Sequence, residues 1–313
     1  MAAGSAFHRT EYFGPVLGLM RAATLDEALE LQNAVAYGLT AGIQSLDADE
    51  VAHWLDNVQA GNLYVNRPIT GAIVRRQPFG GWKRSSVGPG AKAGGPNTLL
   101  VLGDWHPVPA APEGDLRLDG LEPRVQALIE AFQPALDYGG FDAVRRGAYS
   151  DAAAWAAEFG TSRDESQLGV ERNVFRYRPT AVTVRLAEDG QLAELVRVLA
   201  AAALARATVA ISSATPLRMA RVVSALGWSA TVESDAAFAA RAARELPARV
   251  RLVGGDPAAL AAALGGSPDV AVYGGRVTAA GRIELLPFLR EQAVSITAHR
   301  FGTPDRAMIG LEV

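Results

Sequence analysis

The order of local patterns in this chain predicts an α/β fold: a parallel sheet with helices, followed by a second, doubly wound α/β domain. Three observations carry that expectation. Residues 16–66 alternate apolar runs with helical spacings, and residues 181–273 repeat short β-branched runs separated by Ala-rich helical stretches. Between them lie a segment dense in Gly, Pro and basic residues (67–95) and a Pro-rich one (106–120). Strands alternating with helices imply parallel pairing through right-handed crossovers.

Taken in order, residues 16–20 form an apolar run that Gly14 and Pro15 turn into a strand. Thr24 and Glu27 have capping-box spacing, in which a hydroxyl and a carboxylate satisfy orphan amides at a helix start. Leu25, Ala28, Leu29, Gln32 and Ala36 then recur at helical spacing, with Gly38 as a left-handed stop. Residues 41–46 are the next strand. Asp47 opens a second helix with Val51, Trp54, Leu55 and Val58 on its apolar face, closed by Gly61, and residues 62–66 are the third strand. The regular pattern stops over 67–95, and a long loop inside a compact domain points to function. Residues 97–102 read as strand, with an exposed edge that would seek a partner. Prolines 107, 109 and 112 mark 106–120 as a linker. Val125, Leu128, Ile129 and Phe132 share one face of a helical stretch within 121–160. Further on, 181–186, 208–212, 230–233, 250–253 and 270–273 read as strands, with helices over 192–205 and 236–246 between them. Gly254-Gly255-Asp256-Pro257 is no phosphate fingerprint, because Asp and Pro stand where amides would face phosphate. It reads as a helix start, with Asp256 as N-cap and Pro257 in the first turn.

Composition narrows the function. The chain has 313 residues, 49% of them hydrophobic, a formal net charge of -3 and no cysteine. The charge balance gives no electrostatic case for nucleic acid. The apolar stretch 195–205 is interrupted by Arg197 and too short to span a bilayer. Residues 1–10 lack the apolar core of a secretory signal, so a cytoplasmic setting is expected. Without cysteine there are no disulfides and no thiol nucleophile. His8, His53, His106 and His299 have no metal-ligand spacing.

Three ordered motifs carry the chemistry: Glu-Tyr-Phe-Gly-Pro at 11–15, Gly-Asn-Leu-Tyr-Val-Asn at 61–66 and Gln-Pro-Phe-Gly-Gly-Trp-Lys-Arg at 77–84. A carboxylate suits a vicinal diol, and an aromatic edge can fix a flat ring for hydride transfer. This trio resembles the closing third of an aldehyde dehydrogenase catalytic domain. The resemblance implies that Glu11 accepts hydrogen bonds from the nicotinamide ribose of NAD and that Phe13 packs near its ring. The stretch from Asn66 through Gly71, Ala72 and Phe79 to Pro96 is similar to the aldehyde-anchoring loop of L-glutamate gamma-semialdehyde (1-pyrroline-5-carboxylate) dehydrogenases. There the amides of Gly71 and Ala72 would hold the substrate carboxylate, and Phe79 would border the aliphatic chain. Backbone amides can do so only where side chains leave room. The basic residues Arg75, Arg76, Lys83 and Arg84 are read as solvated loop charges. Residues 171–179 and 294–302 resemble the far C-terminal domain of long proline utilisation A-type proteins, a degenerate aldehyde dehydrogenase-like fold that helps enclose a substrate channel.

The resemblance divides the chain into 1–105, the end of the catalytic domain with its anchor loop and oligomerisation strand; 106–170, a linker with helices; and 171–313, the degenerate domain. It implies oxidation of L-glutamate 5-semialdehyde to L-glutamate with NAD in proline degradation. It also places the nucleophilic cysteine, the general-base glutamate and the complete dinucleotide fold ahead of the first motif, where this sequence begins. The expectation is a C-terminal piece, inactive alone, whose partners are the aldehyde substrate, an N-terminal region or proline dehydrogenase module, and further copies of itself. The alternative is a non-catalytic scaffold or regulatory module.

Overall fold

The computed structural model describes residues 1–106, 116–217 and 220–313, so 107–115 of the expected linker lie outside the described residues. Ten strands build two five-stranded sheets: β1 (Thr40–Ile43), β2 (Asn62–Val65), β3 (Arg163–Asp164), β4 (Glu171–Pro179), β5 (Ala181–Leu186), β6 (Thr208–Ser213), β7 (Ser229–Val232), β8 (Arg249–Val253), β9 (Ala271–Tyr273) and β10 (Leu289–Thr297).

The first sheet has the order β1-β2-β10-β4-β3. Its helices are α1 (Leu25–Asn33) and α2 (Ala48–Asn57). The capping box at α1 forms: Thr24 accepts from the Glu27 amide at 3.1 Å, and the Glu27 carboxylate accepts from the Ala23 amide at 2.6 Å. Thr24→Ala is expected to cost about 1 kcal/mol, read from the urea midpoint with an unchanged m-value. Asp47 caps α2 through the amides of Asp49 and Glu50. Val51, Trp54 and Leu55 of α2 pack with Leu63, Val65, Val294 and Ile296 in one core. β1 and β2 run parallel, as the crossover argument requires, and β2 runs parallel to β10. β10 then pairs antiparallel with β4 from Leu289↔Pro179 to Thr297↔Glu171.

The second sheet has the order β9-β8-β5-β6-β7 and is parallel throughout. Its strands and the helices Leu192–Leu204 and Asp235–Glu245 lie within a residue or two of the sequence expectation. Asp256 caps the helix Pro257–Ala263 with Pro257 in its first turn.

The structure corrects several expectations. Residues 16–20 form no strand, because no segment among the described residues pairs with them; Leu17 and Leu19 are 80% and 73% exposed. Residues 97–102 are also not a strand: Thr98–Leu102 is a 3-10 turn, which closes its own hydrogen bonds and needs no partner. α1 ends at Asn33. Gly38 is instead required by close approach, since a Cβ there would lie 2.5 Å from the Gln59 carbonyl oxygen. The expected divisions at 105 and 170 do not follow the cores. β4 and β10 complete the first sheet, and the helices Pro123–Phe132 and Tyr138–Ala154 pack through Val125, Leu128, Ile129, Phe132 and Val144 onto Val182, Val184 and Leu195 of the second unit. Hydrophobic faces join whichever sheet they can cover, regardless of their order along the chain.

Candidate active site

The loop after β2 is pinned at three points. Phe79 and Ala93 exchange backbone hydrogen bonds of 2.9 and 2.8 Å. Asn62, at the start of β2, donates from Nδ2 to the Pro78 carbonyl at 3.1 Å, and its Oδ1 accepts from the Gly80 amide at 3.2 Å and from Lys92 Nζ at 2.7 Å. Gln77, fully buried, accepts from the Ile73 amide at 2.9 Å and donates to Asn173 Oδ1 at 2.6 Å. Ser295 Oγ donates to the same Asn173 oxygen at 2.9 Å. The loop is thereby tied to the two strands, β4 and β10, that lie farthest from it in sequence within the first sheet.

These ties leave a short arch at residues 70–72. Gly71 has φ +81°, a left-handed conformation that favours glycine, and no heavy atom lies within 4 Å of where its Cβ would be. Ala72 is exposed, and neither the Gly71 nor the Ala72 amide donates a hydrogen bond among the described residues. Phe79 is 39% exposed. Glu11 is exposed, and Phe13, 97% exposed, has almost no packing. The structure therefore presents all five expected residues to solvent. None of them lines either of two cavities, of about 620 and 340 Å³.

The aldehyde dehydrogenase family pattern matches residues 1–101. Over this third of the chain the sequence is similar to an aldehyde dehydrogenase domain. The 1-pyrroline-5-carboxylate dehydrogenase of Bacillus pumilus is 44% identical over 97 residues, covering 31% of this chain and 18% of that protein. The bifunctional protein PutA of Klebsiella aerogenes is 34% identical over 199 residues, covering 61% of this chain and 15% of that protein. Among solved structures, Proline Utilization A from Corynebacterium freiburgense superposes with a TM-score of 0.73 at 39% identity, covering 97% of this chain and 27% of that one. The chain thus spans less than a fifth of these two curated relatives and about a quarter of that structure.

A buried polar chain joins the loop after β2 to the C-terminal half. Glu291 of β10 accepts from the Lys92 amide at 2.7 Å and from Asn97 Nδ2 at 2.6 Å. Asn97 also donates to the Tyr177 hydroxyl at 3.0 Å, which itself donates to Glu158 at 2.7 Å. Lys92 Nζ, besides its bond to Asn62, donates to the Gly80 carbonyl. Burial drives the Lys92 amine down to about 7, a shift that the Glu291 carboxylate partly opposes, and burial pushes the Glu291 carboxyl above its ordinary range. Sequence reasoning missed Gln77, Lys92, Asn173, Glu291 and Ser295 as a group. The signal for Asn173, Glu291 and Ser295 was their polarity inside strands, where each needs a buried partner; Gln77 and Lys92 lie in the irregular loop, which gives no such signal.

The second sheet offers no phosphate cradle. Its strand order reverses between β5 and β8, where an open α/β sheet usually binds a nucleotide. The Gly255 amide there is already given to Asp189 Oδ1 at 2.6 Å, and a Cβ on Gly254 would lie 2.6 Å from the Gly190 Cα. Among the described residues there is no His, Asp and Glu cluster fit to hold a metal, and no helix long and apolar enough to cross a membrane.

Proposed function

We propose that this chain supplies the aldehyde-anchoring and cofactor-edge elements of a cytoplasmic, NAD-dependent L-glutamate gamma-semialdehyde dehydrogenase that converts L-glutamate 5-semialdehyde to L-glutamate in proline degradation. The observation that carries the reading is the arch at Gly71 and Ala72: two free amides on a loop locked by buried hydrogen bonds. Two amides converging on one carboxylate give charge-assisted hydrogen bonds and select substrates bearing that group. Phe79 would border the aliphatic chain. Glu11 can accept from a ribose diol, and Phe13 is accessible to a flat ring, so both fit the nicotinamide end of NAD. The phosphates do not fit the second sheet and would need another fold. NAD, when bound, takes the hydride; this chain's own part is to hold the carboxylate and the ribose. A chain without cysteine cannot form the thiohemiacetal, so a polypeptide bearing the nucleophile and the dinucleotide fold, or a proline dehydrogenase module attached to it, belongs to the same assembly. Residues 171–313 are included in the proposal as a degenerate aldehyde dehydrogenase-like domain, whose strands β4 and β10 brace the anchor loop through Asn173 and Ser295.

The test is NADH absorbance with L-glutamate 5-semialdehyde, using the chain alone and the chain co-expressed with such a polypeptide. Turnover is expected only in the combination. There, Ala72→Pro, which removes one amide donor, should raise KM for the aldehyde about tenfold with KM for NAD unchanged, and Glu11→Ala should do the reverse. Turnover by the chain alone, or no change of KM in Ala72→Pro, would refute the assignment.

A further inference from the structure

The cavity of about 620 Å³ lies away from the anchor arch, and its lining includes Trp82, Arg249, Tyr273 and Arg290. Arg290 makes no ion pair with any carboxylate among the described residues; its guanidinium sits 5.5 Å from the Trp82 ring centre. Arg249 sits 5.7 Å from the Tyr273 ring centre and donates to the carbonyls of Pro287 and Leu289 at 2.8 and 2.7 Å, so it too is positioned without an acid. Lys83, next to Trp82, has a left-handed backbone (φ +52°), a strained conformation for a non-glycine residue, and donates to the carbonyls of Asn33 and Val35. In the β10–β4 register Arg290 stands opposite Arg178, which is paired with Asp56 at 3.2 Å and does not line the cavity.

The carboxylates of the cavity do not neutralise this group. Glu284 is paired with Arg251 at 2.7 Å, Glu291 is committed to the Lys92 amide and Asn97, and Asp104 is exposed. Burial, reinforced by the nearby Arg249 charge, brings Arg290 down to about 10, and the Arg290 charge also depresses Lys83. In a protein of net charge -3, Arg249 and Arg290 line one cavity with only carbonyls and rings as partners. That arrangement is costly unless an anion completes it.

We infer that this cavity binds a small organic oxyanion, a carboxylate or a phosphate ester, between Arg249 and Arg290, with its apolar part against Leu286 and Leu289. The site shares no residue with the anchor arch, so it stands or falls independently of the dehydrogenase reading.

Isothermal titration of the full 313-residue chain with phenyl phosphate and with glutarate tests it. Saturable binding of at least one probe is expected, weakened about tenfold or more in Arg290→Gln and unchanged in Arg84→Gln, a cation outside the cavity that pairs with Asp269. Which probe binds identifies the anion as phosphate ester or carboxylate. If circular dichroism shows Arg290→Gln to be unfolded, Arg290→Lys replaces it: the charge stays but the planar fork is lost, and weaker binding is again expected. No saturable binding of either probe at millimolar concentration, or undiminished affinity in the folded Arg290 variant, overturns the inference.

Discussion

Arg197→Met is expected to lower the unfolding free energy by about 3–5 kcal/mol, because it strands a carboxylate in the core. Arg197, on the helix Leu192–Leu204, meets Asp151, on Tyr138–Ala154, in a two-pronged bridge with both contacts at 2.7 Å. Their side chains are 5% and 1% exposed. The helices approach so closely that a Cβ on Gly147 would lie 2.1 Å from Arg197 Nε, so solvent cannot reach the abandoned acid without parting them. Replacing both partners by apolar residues, Arg197→Met with Asp151→Leu, removes the stranded charge and should restore most of the loss. Arg197 also donates to the Thr278 carbonyl at 3.1 Å, while the Thr278 amide donates to Glu284, the partner of Arg251. The two buried bridges are thus linked through one peptide segment, and Arg251→Met combined with Arg197→Met should deviate from additivity. Urea midpoints at constant m-value measure all of this. A single variant as stable as the double one would show that Asp151 is stabilised by something other than Arg197.

Arg197 also shows what the sequence could and could not convey. In the linear pattern it only interrupts an apolar run; its partner lies 46 residues away, and no local rule points to it. Elements whose stabilising contacts are local were legible almost to the residue. The five strands of the second sheet and the caps at Thr24, Asp47 and Asp256 need only periodicity and the hydrogen bonding of side chains to nearby amides. Residues 16–20 and 97–102 were misread because apolar alternation describes a segment's capacity to pair, and the partner decides whether it does. The segment of β10 was read only by its resemblance, yet β10 lies between β2 and β4, which come from opposite halves of the chain. At the candidate site the arch itself was legible, since Gly71 and Ala72 are small residues in a recognisable loop. The support of that arch was not, because Gln77 and Asn173 meet across 96 residues.

Stability is expected to rise with pH above neutrality, and Lys92 is the reason. Its amine, 3% exposed, titrates at about 7 in the folded chain against the ordinary 10.5 in the unfolded one. Below about pH 7 both states hold the proton, and above about 10.5 neither does. In between, only the unfolded chain binds it, so the stability associated with the neutral amine is fully present above the unfolded value and is lost as pH falls through the folded one. One proton of difference corresponds to about 1.4 kcal/mol per pH unit, hence about 2–3 kcal/mol between pH 7 and 9. Glu291 acts oppositely: a raised carboxyl pKa stabilises the fold at low pH and loses that contribution as pH rises from the ordinary carboxylate range through the folded value. Lys83 and Arg290, also depressed, contribute with the same sign as Lys92, Arg290 only above about pH 10. The difference between wild type and Lys92→Met isolates the one amine, since Met keeps the aliphatic stem and discards the titration. Denaturation at pH 7, 8 and 9 should give wild-type stabilities that climb relative to the variant. Parallel curves would mean that Lys92 stays charged in the fold, and with it that the polar chain from Asn62 through Glu291 to Tyr177 holds an ammonium in a setting far less desolvated than its burial implies.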